Sequence, residues 1–168
     1  MLTYRYLYTP LGTLLLAGQE NCLEVIRIPR ETELPSPHSD WVEDDSCLQA
    51  VVDQLNRYFS GELKAFSLKL NPQGSVFQKK AWDALLTIPY GETISYEEQA
   101  MRIGQPTASR AVGMANGKNP IPIIIPCHRV IGKDGSLTGF SSGLNAKKYL
   151  LALEKPQEGK KGEQLGLF

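Results

Sequence analysis

Asn119 to Val130 reads NPIPIIIPCHRV, and the rest of the chain is organised around this stretch. Ile121, Ile123, Ile124 and Ile125 are β-branched and too few to span a bilayer, so they read as buried extended chain. Pro120, Pro122 and Pro126 keep that chain out of a helix and reduce its slack. Cys127 is thus delivered at the end of a stiff, buried segment, with His128 and Arg129 directly after it. A thiol is a weak nucleophile at its free pKa of about 8.5, and a neighbouring imidazole or positive charge raises its thiolate fraction. The alternative is a buried structural cysteine beside a surface His-Arg pair.

The 168 residues suit one or two small domains, and 42% hydrophobic residues supply a real core. No apolar run reaches membrane-span length and the opening MLTYR begins no signal peptide, so a soluble, cytoplasmic protein is expected. Three cysteines, Cys22, Cys47 and Cys127, are odd in number and widely spaced. They suit a reducing compartment and, with only two histidines, make no metal site. The zero net charge hides a division. Residues 1–73 carry six Lys/Arg against ten Asp/Glu, net −4, whereas residues 74–154 carry nine against six, net +3. The half that holds Cys127 is basic, by an amount that implies a local phosphate-facing surface.

In chain order, residues 2–8, 13–17 and 22–28 read as a three-stranded antiparallel meander. Pro29 to Asp40, with its prolines and charges, reads as a surface loop in which His38 is solvated. Ser46 is expected to begin an amphipathic helix with Leu48, Val51, Val52, Leu55, Tyr58 and Phe59 on one face, Asp44 and Asp45 favouring its N-terminus. Residues 65–70 read as a short strand before a boundary at 71–74. Ser75 to Gln78 is a capping box opening a helix to about Thr87, and Ser95 to Glu98 a second, opening a helix through Met101. After a turn at Gly104 and Gln105, Pro106 is placed as a first helical residue and Thr107 to Asn116 as a second helix. Helix, short turn, helix is the helix-turn-helix pattern, which many helical hairpins share. Small residues along the second helix allow close approach to a groove or to a core. Arg110 is its one long cationic side chain, and the residues alone favour a surface salt bridge for it. Asn145 to Leu153 is a final helix ending at Glu154, and the polar tail from Lys155 reads as disordered until its last five residues.

PCHRV, preceded by NPIPIII and followed by a glycine-containing loop and a final helix, resembles the O6-alkylguanine-DNA alkyltransferases, or methylated-DNA–protein-cysteine methyltransferases. The resemblance covers about Ser75 to Glu154 strongly and the first seventy residues in outline. It implies an α/β (α+β) fold: a small antiparallel sheet plus helix, ribonuclease H-like, over 1–73, then a mostly helical, winged-helix-like domain over 74–154, with 155–168 as a flexible tail. It implies a protein that flips an O6-alkylated guanine, with O4-alkylthymine a further substrate to consider, and takes the alkyl group onto Cys127 once, irreversibly, without cofactor or metal. By the same resemblance His128 is the base, acting through a water, and Glu154 orients it. Asn119 ties the helix-turn-helix to the active-site segment, Tyr96 serves the leaving guanine, and Arg110 fills the space of the flipped base in the minor groove. Val130, Phe140 and Ser141 line the base pocket, and Gln105 and Lys133 fall at phosphate-contact positions. Some members of the family carry a structural zinc near the N-terminus; no ligand set for it stands in this sequence.

Two positions depart from the family pattern. Phe140 stands where tyrosine is usual, which keeps a stacking wall and loses a hydroxyl. Glu97 follows Tyr96 where an uncharged residue is common; near phosphate it would repel, so a helix-capping role is expected. The C-terminal Gln164 to Phe168, QLGLF, resembles the short peptides by which bacterial DNA-processing proteins dock on the sliding clamp, the alternative being a tail folded onto its own domain. Two other function classes stand beside the monomeric repair protein. A non-catalytic lesion-binding protein is disfavoured by Cys127, and a cysteine hydrolase would leave Arg110 and the helix-turn-helix idle.

Overall fold

The computed structural model describes residues 1–31, 33–137 and 143–155. Its first element is the expected meander: β1 (Thr3–Thr9), β2 (Gly12–Gln19) and β3 (Cys22–Arg27), paired antiparallel in that order. A register shift between Ala17 and Gly18 lets the chain turn sharply, and only glycine fits there, since a Cβ at Gly18 would meet the Cys22 carbonyl oxygen at 2.1 Å. Two short strands extend the sheet at its edges. β4 (Val42–Glu43) runs parallel to β1, and β5 (Lys69–Leu70) parallel to β3. Of the strand expected over residues 65–70, only these last two residues pair.

Helix α1 (Gln49–Phe59) lays Val51, Val52, Leu55 and Tyr58 against the sheet. It starts three residues later than expected, because Leu48 takes a left-handed conformation at the N-cap and keeps Asp44 and Asp45 out of the first turn. Asp44 instead accepts hydrogen bonds from the Ser46 amide and hydroxyl, closing the turn before the helix.

Helix α2 (Val76–Leu85) carries the complete capping box from Ser75 and Gln78. Helix α3 (Tyr96–Arg102) has half of one: the Ser95 hydroxyl accepts from the Glu98 amide. Helix α4 (Ser109–Gly117) begins later than the sequence suggests, since Gln105 to Thr107 form the turn and Pro106 precedes the helix without opening it. A buried polar clip fixes α3 on α4: the side-chain amides of Gln99 and Asn116 exchange hydrogen bonds of 2.9 and 2.8 Å. The Trp82 indole on α2 donates to the Ala115 carbonyl at 2.8 Å, locking the third helix onto that pair.

The isoleucine stretch is buried as expected, but it is not extended. It folds into a compact turn in which the Ile125 amide donates to the Ile121 carbonyl at 3.0 Å, with Ile123 at a φ of +77°. The prolines forbid a helix but tolerate a turn, and the turn packs four isoleucines into one core with Leu14, Leu16, Leu23 and Leu55. The chain continues through a 3-10 turn at Cys127–Arg129 into β7 (Val130–Ile131), which pairs parallel with β6 (Ile94–Ser95). Helix α5 (Leu144–Leu153) closes the described chain. Among the described residues no helix is long and apolar enough to cross a membrane.

Candidate active site

Three elements converge on Cys127. The isoleucine turn sets its backbone, with the Cys127 amide donating to the Ile125 carbonyl at 2.8 Å. Asn119 clips that turn from inside: its side-chain NH2 donates to the Ile125 carbonyl at 2.8 Å, and its carbonyl accepts from the Ile121 amide at 2.9 Å. The 3-10 turn then points His128 and Arg129 inward, where they are 0% and 7% exposed. This excludes a surface His-Arg pair.

The end of α5 supplies their partner. Glu154, 2% exposed, accepts from His128 Nε2 at 2.8 Å and holds Arg129 by two bonds, Nε to Oε1 at 2.8 Å and Nη2 to Oε2 at 3.0 Å. Arg129 Nη1 also donates to the Ile88 carbonyl at 2.6 Å. From α1, the Tyr58 hydroxyl donates to Glu154 Oε2 at 2.5 Å. Lys147, 1% exposed on α5, donates from Nζ to the Val130 carbonyl at 2.7 Å.

These contacts decide the protonation states. Burial opposes the charge on Glu154, yet the hydrogen bonds from His128 and Arg129 hold its carboxyl down at about 2. An ionised Glu154 requires the proton on His128 Nε2, so Nδ1 presents a lone pair; it has no hydrogen-bond partner among the described residues. Burial lowers the His128 pKa against the pull of Glu154, leaving a neutral imidazole at neutral pH. Burial pushes the Cys127 thiol up to about 11, opposed by a hydrogen bond with the Asn119 side chain and by the Lys147 charge. The site therefore holds a protonated thiol beside a neutral base, and nucleophilic attack requires the proton to leave in step.

Comparison with known proteins fits this geometry. Residues 76–156 match the family described as 6-O-methylguanine DNA methyltransferase, DNA binding domain, and residues 2–72 its ribonuclease-like domain. The chain belongs to the 6-O-methylguanine DNA methyltransferase family. It is 52% identical over 155 residues to the methylated-DNA–protein-cysteine methyltransferase of Mycobacterium bovis, covering 92% of this chain and 93% of that protein. The Methanosarcina barkeri protein of the same name is 50% identical, covering 90% and 96%. The Mycobacterium tuberculosis protein solved in complex with DNA superposes with a TM-score of 0.85 at 51% identity, covering 91% of this chain and 92% of that one.

The residues expected from the resemblance fall into three groups. Cys127, His128, Glu154, Asn119 and Val130 come together in the buried site. Tyr96, half-buried at the start of α3, faces Gly113 of α4, whose added Cβ would lie 3.6 Å from the tyrosine ring. Gln105 and Arg110 are exposed on the helix-turn-helix, and among the described residues no ion pair engages Arg110. Lys133 pairs with Glu97 at 3.1 Å on the surface, so the unusual acid neutralises a neighbouring cation as well as standing in the first turn of α3. Phe140, Ser141 and Gln164 to Phe168 lie outside the described residues.

Sequence reasoning missed Tyr58, Arg129 and Lys147 as site residues. Tyr58 looked like one more apolar position on α1, and Arg129 like a neighbour of the histidine. Lys147, on a helix with an exposed Lys148 beside it, gave no sign of burial.

Proposed function

We infer that this protein repairs alkylated DNA by direct reversal, moving the alkyl group from O6 of guanine to the sulfur of Cys127. The observation that carries the reading is a buried Cys127 followed directly by His128, whose Nε2 is held by the buried Glu154 and whose Nδ1 has no hydrogen-bond partner among the described residues, in a member of this family. The thiol proton passes toward His128 Nδ1, and the sulfur electron pair forms the S–C bond as the C–O6 bond breaks. The leaving guanine takes a proton or a hydrogen bond from Tyr96 by the family resemblance, and the proton released from the thiol to His128 returns through solvent to balance it. The products are S-alkylcysteine and guanine. A thioether is a poor leaving group, so each molecule acts once.

Double-stranded DNA is the partner, met through the minor groove by α3 and α4, with Arg110 entering the duplex and Gln105 and Lys133 at the phosphates. Residues 1–73 then form the supporting domain and 74–154 the DNA-binding and acceptor domain, a division supported by family matches over 2–72 and 76–156. Val130, Phe140 and Ser141 would wall the base. The protein acts as a monomer in the cytoplasm, on the nucleoid if bacterial. The sequence QLGLF at 164–168 supports docking on a sliding clamp, which a pull-down with and without those residues tests.

Intact-protein mass after mixing with a duplex carrying one O6-methylguanine tests the main reading. The expected result is a gain of one methyl group, mapped to the Cys127 peptide and saturating at one per protein. An unchanged mass with the duplex still bound would replace this reading with that of a lesion-binding protein.

A further inference from the structure

We propose that Tyr58 is a positioning residue of the alkyl-transfer site, through which helix α1 holds Glu154 Oε2 in place against His128. The proposal rests on the function inferred above and adds a part that comes from the first half of the chain.

The hydrogen-bond pattern carries it. Among the described residues Glu154 Oε2 accepts from three donors: His128 Nε2 at 2.8 Å, Arg129 Nη2 at 3.0 Å and the Tyr58 hydroxyl at 2.5 Å. Oε1 takes Arg129 Nε at 2.8 Å. The oxygen that sets the basicity of His128 is thus the one Tyr58 draws on. Tyr58 is fully buried 96 residues away in sequence, its ring wedged between Phe59 and Phe66 with centroids at 5.3 Å from each. A wholly buried phenol remains a donor, since burial and the Glu154 charge disfavour its ionisation.

Two consequences follow from removing that hydroxyl. The carboxylate, its plane still set by the Arg129 fork, loses a bond that holds Oε2, and Oε2 places more negative charge on the imidazole. Greater charge at Oε2 stabilises the imidazolium, so His128 holds its proton to higher pH and is a free base over a narrower range. Among the described residues, the other charged groups facing this pair are Arg129 and Lys147, with the Tyr90 hydroxyl engaged by the Leu153 carbonyl at 3.2 Å. None of them replaces the donor lost from α1.

The test compares the full-length protein with Tyr58→Phe, which keeps the ring packing. Single-turnover methyl transfer from an O6-methylguanine duplex is followed between pH 5 and 9 in both, with NMR titration of the His128 ring nitrogens alongside. The acid-limb midpoint and the imidazole titration are both expected to move up by about one pH unit, the equivalent of one hydrogen bond. A variant that melts earlier but keeps both midpoints would make Tyr58 a packing residue only and overturn the proposal. Should Tyr58→Phe fail to fold, 3-fluorotyrosine placed at position 58 keeps the ring and strengthens the donor. Both midpoints should then move down, and unmoved midpoints again overturn the proposal. A wild-type protein that transfers no methyl group would instead defeat the function reading, while the imidazole titration still decides the role of Tyr58.

Discussion

Arg129 and Glu154 meet as a buried fork, with Nε on Oε1 at 2.8 Å and Nη2 on Oε2 at 3.0 Å, and both side chains less than a tenth exposed. The pair fixes the plane of the carboxylate on which His128 depends. Removing the guanidinium leaves a buried charge short of its main partner, which costs about 3–5 kcal/mol. Arg129→Ala should lose that much stability in urea denaturation, and Arg129→Lys less, since a lysine keeps the charge but not the fork. A loss below about 1 kcal/mol in the alanine variant would show that water or a rearranged neighbour replaces the arginine.

Acid should destabilise the protein in two steps. His128 is buried with its pKa below the ordinary 6.5, so the unfolded chain binds its proton first and stability falls as pH drops through that value. Glu154 is held at about 2 against an ordinary 4.5, so its contribution is complete above 4.5 and drains away as pH falls toward 2. Thermal melts from pH 8 to pH 2 should show both. Glu154→Gln should remove the lower step, and a melt profile that keeps it would place the titrating group elsewhere.

The Cys127 thiol, raised to about 11 by burial, should react slowly with iodoacetamide at neutral pH. Its labelling rate, followed by peptide mass, should climb roughly tenfold per pH unit between pH 7 and 10, as the thiolate fraction does. A rate that levels off near pH 7 would mean the thiolate is already formed in the resting protein.

Asn119 satisfies two buried backbone groups of the isoleucine turn. Asn119→Ala strands the Ile121 amide, which costs about 1–3 kcal/mol when buried unpaired, and leaves the Ile125 carbonyl with the Cys127 amide as its donor. The variant should lose stability on that scale and transfer methyl more slowly, because the turn that carries Cys127 loosens. Unaltered stability would mean another group closes the turn.

Arg110 is exposed and, among the described residues, engaged by no ion pair. Arg110→Ala should leave the unfolding free energy within about 0.5 kcal/mol of wild type and slow transfer from duplex DNA by about tenfold or more. The free base, O6-methylguanine without a duplex, should be demethylated equally by both proteins. Equal loss on the two substrates would place the fault in the pocket and not in base flipping.

What the sequence determined alone was local. The capping box at Ser75 and Gln78, the apolar face of α1 and the meander all follow from periodicities and hydrogen bonds a few residues long, and all stand where their residues placed them. The motif around Cys127 was legible too, because its chemistry is packed into adjacent positions. Local rules failed where a backbone choice depended on distant atoms. Pro120 and Pro122 exclude a helix but do not choose between strand and turn; Asn119, bonding six residues on, and the surrounding core chose the turn and placed Ile123 at positive φ. Tertiary structure likewise decided that Arg129, Lys147 and Tyr58 belong to the site. A carboxylate buried at the end of α5 must collect donors from whatever packs against it, and those came from a 3-10 turn 25 residues away and a helix 96 residues away.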